Sequence, residues 1–110
     1  MQVKAHMRIA AYAPFMQEIL NALSDPTRRG ALALLGDGRE HCLCELMARL
    51  GASQSRMSRH MKVLRETGLV LDRRDAQWVR FRRNPKLAAE LVAVVDAVLA
   101  AEEMVKRDVA

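Results

Sequence analysis

Gly51 divides two short helical segments of opposite character, and that break constrains the fold of this chain more than any other feature. Upstream, a short helix from about Cys42 to Leu50 is ended by the glycine. Downstream, Ser53 can cap a second helix that runs to Thr67, where Gly68 supplies a left-handed end. Met57, Met61 and Leu64 recur at i, i+4 and i+7 and make the apolar stripe of this second helix. Gln54, Ser55, Arg56, Ser58, Arg59 and Lys62 lie mostly off the stripe and face outward. A short helix, a glycine turn and a second helix with a polar, basic outer face match a helix-turn-helix.

The flanking segments complete one small domain. Leu69–Arg73 and Trp78–Arg82 are strand-like; Trp78, Arg80 and Arg82 alternate with Val79 and Phe81, the period of a half-exposed strand. Asp75-Ala76-Gln77 is the expected turn, so the pair forms a basic hairpin, or wing, beside the second helix. Before the helix-turn-helix, Phe15, Met16, Ile19, Leu20 and Leu23 recur at helical spacing. Asp25 and Pro26 then suit the N-cap and first position of another helix, which carries Leu32, Leu34 and Leu35 up to Gly36-Asp37-Gly38. After the wing, Asn84-Pro85 is expected to start a long helix to about Lys106, with Leu87, Leu91, Val94, Val95, Val98 and Leu99 on a broad apolar face. The expected fold is mainly α with a small β-hairpin: a winged helix-turn-helix, with the helix-turn-helix at about 42–67 and the wing at about 69–82. A chain of 110 residues has little room to bury both terminal helices. The helices at about 10–23 and 85–106 are therefore expected to form a dimer interface.

The net charge is +5, and its excess is local. Between Ser53 and Arg83 stand nine Lys or Arg residues (56, 59, 62, 65, 73, 74, 80, 82 and 83) against Glu66, Asp72 and Asp75. Charge confined to one helix and one hairpin points to a polyanion partner, double-stranded DNA. Gln54, Ser55, Arg56, Ser58 and Arg59 are expected to face the major groove, with Lys62, Arg73, Arg74 and Arg80 nearer phosphate. Arg39-Glu40 and Glu102-Glu103 read as solvated charge. No Ser/His/Asp spacing, glycine-rich phosphate loop or carboxylate pair with a histidine appears, so an enzyme is not expected.

The chain has two cysteines, Cys42 and Cys44. Two residues apart, they cannot make the disulfide framework of a secreted scaffold. With no signal-peptide pattern and no membrane-spanning run, the reading is a cytoplasmic protein with mostly reduced thiols. Thiolates select soft ions, and a helix N-terminus favours the thiolate form. On a regular α-helix, residues i and i+2 point roughly 200° apart, so a shared ion is expected to distort the first helical turn. That turn supports the DNA-reading helix. The adjacent His41 reads as a solvated loop histidine that could also serve as a third ligand; His60 reads as a DNA or packing residue, and Met47 as core.

Together, several stretches resemble the ArsR/SmtB family of winged-helix repressors: Ala22-Leu23-Ser24-Asp25-Pro26-Thr27-Arg28, Cys42-Leu43-Cys44-Glu45-Leu46, Ser53-Gln54-Ser55-Arg56-Met57-Ser58-Arg59-His60-Met61-Lys62-Val63-Leu64, Gly68-Leu69-Val70 and Asp72 to Val79. The resemblance implies a homodimeric repressor that leaves its operator when an ion binds. Members with Cys-x-Cys before the DNA-reading helix sense trivalent arsenic and antimony, which maps onto Cys42 and Cys44. The pattern often has a third cysteine where this chain has Met47. Zinc-type members carry Asp and His ligands on the last helix, which here has Asp96 and no histidine.

The leading function is therefore a transcriptional repressor that releases operator DNA when trivalent arsenic or antimony binds Cys42 and Cys44. A thiol redox or persulfide sensor using the same cysteines is an alternative. From another class, an ion-independent architectural or partner-binding module predicts that replacing both cysteines changes nothing.

Overall fold

The computed structural model describes residues 16–109. Helix α1 spans Met16–Leu23 and α2 spans Pro26–Leu34, followed by a 3-10 turn at Leu35–Asp37. Strand β1 (His41–Cys42) leads into α3 (Leu43–Leu50) and α4 (Gln54–Glu66). The hairpin β2 (Val70–Asp75) and β3 (Trp78–Arg83) follows, then the long α5 (Ala89–Val109). The strands form one antiparallel sheet in the order β1-β3-β2.

Caps and turns explain most boundaries. The Asp25 carboxylate accepts from the Arg28 backbone N–H (3.0 Å) with Pro26 in the first turn of α2. Ser53 Oγ accepts from the Arg56 N–H (3.3 Å) and starts α4. Gly51 ends α3 at φ 64°, a conformation open to glycine at little cost. The core lies where the elements meet: Ile19 and Ala22 of α1, Leu32 of α2, Leu46 of α3, Met57, Met61 and Leu64 of α4, Val70 and Phe81 of the sheet, and Val95 of α5 are all buried. The stripe read from the sequence of α4 is its buried face.

Three boundaries differ from the sequence reading. The hairpin gains a third strand, because His41 and Cys42 pair with Phe81 and Arg80. The helix before the DNA-reading helix consequently begins at Leu43, leaving Cys42 extended as its N-cap. The last helix begins at Ala89 rather than Pro85, since Asn84 is consumed by a local turn: its Oδ1 accepts from the Lys86 N–H (2.9 Å) and its Nδ2 donates to the Gly68 carbonyl (3.0 Å). Of the first helix expected at about 10–23, the part before Met16 lies outside the described residues.

The long α5 buries only Val95 fully, with Leu91, Val94, Val98 and Leu99 packed partly against the core. Two ion pairs hold it. Arg29 makes a bidentate contact with Glu102 (3.0 and 2.9 Å), and Arg83 reaches Asp96 (2.9 Å) while also donating twice to the Leu32 carbonyl (3.0 and 2.7 Å). Glu102 is thus not the solvated charge that the sequence suggested.

The Arg29 hydrogen bond holds the Glu102 carboxyl below the ordinary glutamate range. A carboxylate with a depressed folded-state pKa contributes stability above its unfolded pKa and loses it as pH falls through the folded value. The protein should accordingly lose stability as pH drops below about 4.5, and Glu102→Gln should remove roughly 0.5–1 kcal/mol of that dependence. Chemical denaturation of both proteins between neutral and acid pH measures the difference; parallel curves would mean that the pair contributes nothing.

Candidate nucleic-acid interface and thiol site

Gln54, Ser55, Arg56, Ser58, Arg59 and Lys62 all lie exposed on α4, opposite its buried methionines. The Ser53 cap and the glycine turn leave the first turn of α4 projecting, and that is the part of such a helix that reaches base edges. Ser58, Lys62 and Arg74 line one depression of about 210 Å³ between α4 and the wing. The outer face of the helix and the wing therefore form one basic surface.

The wing arginines are not equivalent. Arg73 is held bidentate by Glu40 (2.9 and 2.7 Å), and Arg80 by Asp75 (3.2 Å). Glu40, read from the sequence as solvated charge, instead ties the segment before β1 to the wing. Among the described residues Arg74 makes no ion pair, and neither does Arg82, which lines a second basic depression with Arg73 and Arg80. The sequence alone does not distinguish Arg82 as a site residue, although its alternation with Phe81 places it on the outer face. Arg83, counted in the same basic run, is spent inside the fold on Leu32 and Asp96.

Arg74 is an exposed wing side chain with no ion pair among the described residues, and its expected phosphate role can be tested. Arg74→Ala should weaken binding to all DNA sequences alike and lower the slope of log affinity against log salt by about one unit. Fluorescence anisotropy over a salt series reads this directly; an unchanged slope would remove Arg74 from the interface.

His60, on α4, does not face outward. Its Nδ1 accepts from Arg28 Nη1 (3.2 Å) and lies 3.8 Å from an Asp25 oxygen. Burial pushes its imidazole below the ordinary histidine range. Arg28 also donates to the Ala22 and Asn21 carbonyls (2.8 and 3.0 Å), so this cluster fixes α4 against the end of α1. His60 is a packing residue.

The two cysteines meet at the start of α3. Their sulfurs are joined as a disulfide across a Cα–Cα distance of 5.3 Å, in place of the free thiols expected. A pair at i and i+2 converges here without any unwinding, because Cys42 is extended in β1 and only Cys44 is helical. The premise that both cysteines sit on a regular helix is therefore corrected: Cys42 precedes the first helical turn. Cys42 Sγ accepts from the Glu45 N–H (3.3 Å) and serves as the cap. Cys44 is exposed, so the pair is open to reagents from solvent.

His41 is not a solvated loop residue, since both of its ring nitrogens are hydrogen-bonded. Its Nδ1 donates to Glu45 (3.0 Å) and its Nε2 to Asp37 (2.9 Å). The hydrogen bond with Asp37, then the one with Glu45, raises its pKa above the ordinary histidine value. Among the described residues, no group of three or more His, Cys, Asp or Glu side chains is placed to hold a metal ion.

The position of the pair matters more than its separation. Cys42 stands opposite Arg80 in the β1–β3 ladder. Cys44 lines a cavity of about 250 Å³ with Gln54 from the first turn of α4 and with Gln77, Trp78 and Val79 from the wing. Both candidate DNA-binding elements thus converge on the thiol site.

A winged helix-turn-helix with a basic reading helix and wing defines a DNA-binding transcriptional regulator. The sequence pattern of the bacterial regulatory protein family arsR matches residues 25–71. The chain is 42% identical over 84 residues to the arsenic resistance transcriptional regulator ArsR2 of Pseudomonas putida, covering 76% of this chain and 73% of that protein. It is 37% identical over 86 residues to the arsenical resistance operon repressor of Escherichia coli, covering 78% and 74%. A solved structure titled as a possible transcriptional regulator for arsenical resistance superposes with a TM-score of 0.62 at 38% identity, covering 73% of this chain and 82% of that one. The chain belongs to the ArsR family, as a DNA-binding transcriptional repressor and not an enzyme. Among the described residues, no helix is long and apolar enough to cross a membrane.

Proposed function

We propose that this repressor binds operator DNA as a homodimer and releases it when trivalent arsenic or antimony bridges Cys42 and Cys44. The observation that carries the reading is the convergence just described: the pair is bonded to the wing strand through β1 and shares a cavity with the start of α4. An ion at the thiolates can bias how these two elements sit relative to each other, and a ligand shifts an equilibrium only through such differential contact. The names of the relatives, arsenic resistance regulators, favour arsenic among the thiophilic ions.

The dimer reading is supported by unpartnered apolar surface on the outer helices. Met16 and Leu20 of α1 and Met104, Val105 and Val109 of α5 are large hydrophobics left exposed. Gln54, Ser55, Arg56, Ser58 and Arg59 then read bases, and Lys62 and Arg74 hold phosphate, with Arg73 and Arg80 contributing once they leave Glu40 and Asp75. Two reading helices should lie about 34 Å apart on successive major grooves.

The disulfide favours a second reading, in which oxidation or persulfide chemistry at the same sulfurs is the signal. An operator-release titration with arsenite, antimonite, cadmium, zinc and persulfide, on wild type and on the Cys42→Ser/Cys44→Ser variant, tests both. Release by arsenite or antimonite that is lost in the variant, with an arsenic atom retained by mass, supports the metalloid reading. Release only by persulfide, with added sulfur by mass, supports the other. Identical behaviour of the two proteins throughout would reduce the cysteines to packing.

A further inference from the structure

Arg73 is gripped by a carboxylate that does not belong to the hairpin. Glu40 accepts from its Nε and Nη2 (2.9 and 2.7 Å), the two-pronged geometry that an arginine also makes with a phosphate. Glu40 is fixed from both sides. Before it, Asp37 Oδ1 accepts from the Arg39 N–H (2.9 Å) and Gly38 turns the chain at φ 77°. After it, His41 is paired with Phe81 of β3. A carboxylate on so short and tethered a segment gives up little backbone freedom on pairing, which sets this pair apart from an ordinary exposed ion pair.

The pair also lies among other cations. Arg73 stands directly opposite Arg80 in the β2–β3 ladder, so the two side chains share the outer face of the sheet. Both line a depression of about 200 Å³ with Arg82, Leu71, Asp72 and Glu40. Asp72 is engaged by Arg65 of α4 (3.1 Å), and Arg80 by Asp75 (3.2 Å). The Arg73 hydrogen bond, and then the charges of Arg73, Arg80 and Arg82, hold the Glu40 carboxyl below the ordinary glutamate range. Guanidinium groups gathered on one face draw an anion, and the anion in place is Glu40.

We propose that the outer face of the wing is a phosphate-binding site in addition to the Lys62–Arg74 surface, and that Glu40 masks it by standing where a DNA phosphate would stand. Glu40 is then a positioning residue for DNA binding, acting through Arg73. The inference rests on the wing's part in the reading above and involves no inducer. A phosphate reaches the Arg73 fork only by displacing the carboxylate, and the displaced negative charge stays beside the DNA. The affinity of the repressor for a duplex is therefore held below what its wing arginines could give. Arg74, the next residue along β2, makes no ion pair among the described residues and escapes this restraint. Phosphate contacts carry no sequence information, so the restraint acts on all sequences alike.

The test is a double-mutant cycle on binding to a labelled duplex of mixed sequence, read by fluorescence anisotropy over a salt series without any metalloid. Glu40→Gln should bind roughly tenfold tighter than wild type near 0.1 M salt, with the slope of log affinity against log salt steeper by about one unit. A merely structural role for Glu40 would leave that slope unmoved. Glu40→Asp, which keeps the charge, should stay within about threefold of wild type. In an Arg73→Gln background the effect of Glu40→Gln should shrink to about twofold, the residue of removing one negative charge near DNA. The same fold-change in both backgrounds would make Glu40 an ordinary surface charge and overturn the inference. Weaker or unchanged binding by Glu40→Gln would overturn it too, since the carboxylate would then hold Arg73 ready for DNA or have no bearing on it. Arg74→Ala, measured alongside, separates this failure from a larger one: if neither it nor Glu40→Gln alters binding or slope, the wing does not meet DNA, and the wing reading falls with this inference.

Discussion

Cys42→Ser and Cys44→Ser should each bind operator like wild type and fail to release it at arsenite concentrations that empty the wild-type complex. Neither cysteine lies on the outward surface of α4 or in the hairpin strands β2 and β3, so the unliganded affinity should not change. Folding should survive as well. Cys42 caps α3 by accepting from the Glu45 N–H, and serine is a better N-cap than cysteine, so the helix start is retained. What is lost is the chelate. Joining two ligands on one short segment raises affinity by effective concentration alone, and a single thiolate forfeits that gain. The arsenite concentration for half-release should rise roughly 100-fold or more in either variant. Anisotropy of labelled operator, titrated with arsenite under reducing conditions, measures it. Release by both variants at wild-type concentrations would place the sensor elsewhere.

The second large effect concerns stability. Leu46 is the one fully buried residue of α3, at 0% exposure, and it holds the short helix carrying Cys44 onto the shared core. Leu46→Ala removes buried methyl groups and leaves a cavity, which costs about 2–5 kcal/mol at such a site. A domain of this size has only about 5–15 kcal/mol in total. The midpoint of thermal unfolding should fall by on the order of 10 °C or more. Circular dichroism at one fixed protein concentration reads the change, since dimerisation would otherwise make the midpoint concentration-dependent. A shift of only a degree or two would mean that α3 is held by the sheet and the turn rather than by this side chain.

Much of this molecule is legible in its sequence because local physics and tertiary packing agree. Met57, Met61 and Leu64 lie at helical spacing and are the buried face of α4; Asp25-Pro26, Gly51 and Ser53 mark helix ends by capping chemistry alone. Legibility stops where a long-range partner decides. Two residues, His41 and Cys42, carry no periodicity, and only pairing with β3 makes them a strand. That pairing moves the start of α3 by one residue and brings the sulfurs together with the helix intact. The same limit governs charge. Arg73 and Arg83 are indistinguishable from Arg74 in sequence, yet Glu40 claims one and the Leu32 carbonyl with Asp96 the other. Asn84-Pro85 has the composition of a helix start, but the Gly68 carbonyl and the Lys86 N–H recruit Asn84 into a turn. The cavity beside Cys44 draws its walls from α3, α4 and the wing, and no local motif announces it.

The central claim, that the thiol pair and the DNA surface are coupled, has a thermodynamic signature independent of any structural detail. If arsenite weakens operator binding by some factor, operator must weaken arsenite binding by the same factor. The most direct measurement is therefore a reciprocal titration under reducing conditions: operator affinity with and without saturating arsenite, and arsenite affinity by Trp78 fluorescence with and without saturating operator. The account predicts two equal factors, each roughly tenfold or greater, both vanishing in the Cys42→Ser/Cys44→Ser variant. Arsenite binding to Cys42 and Cys44 with the same affinity whether or not operator is bound would contradict it.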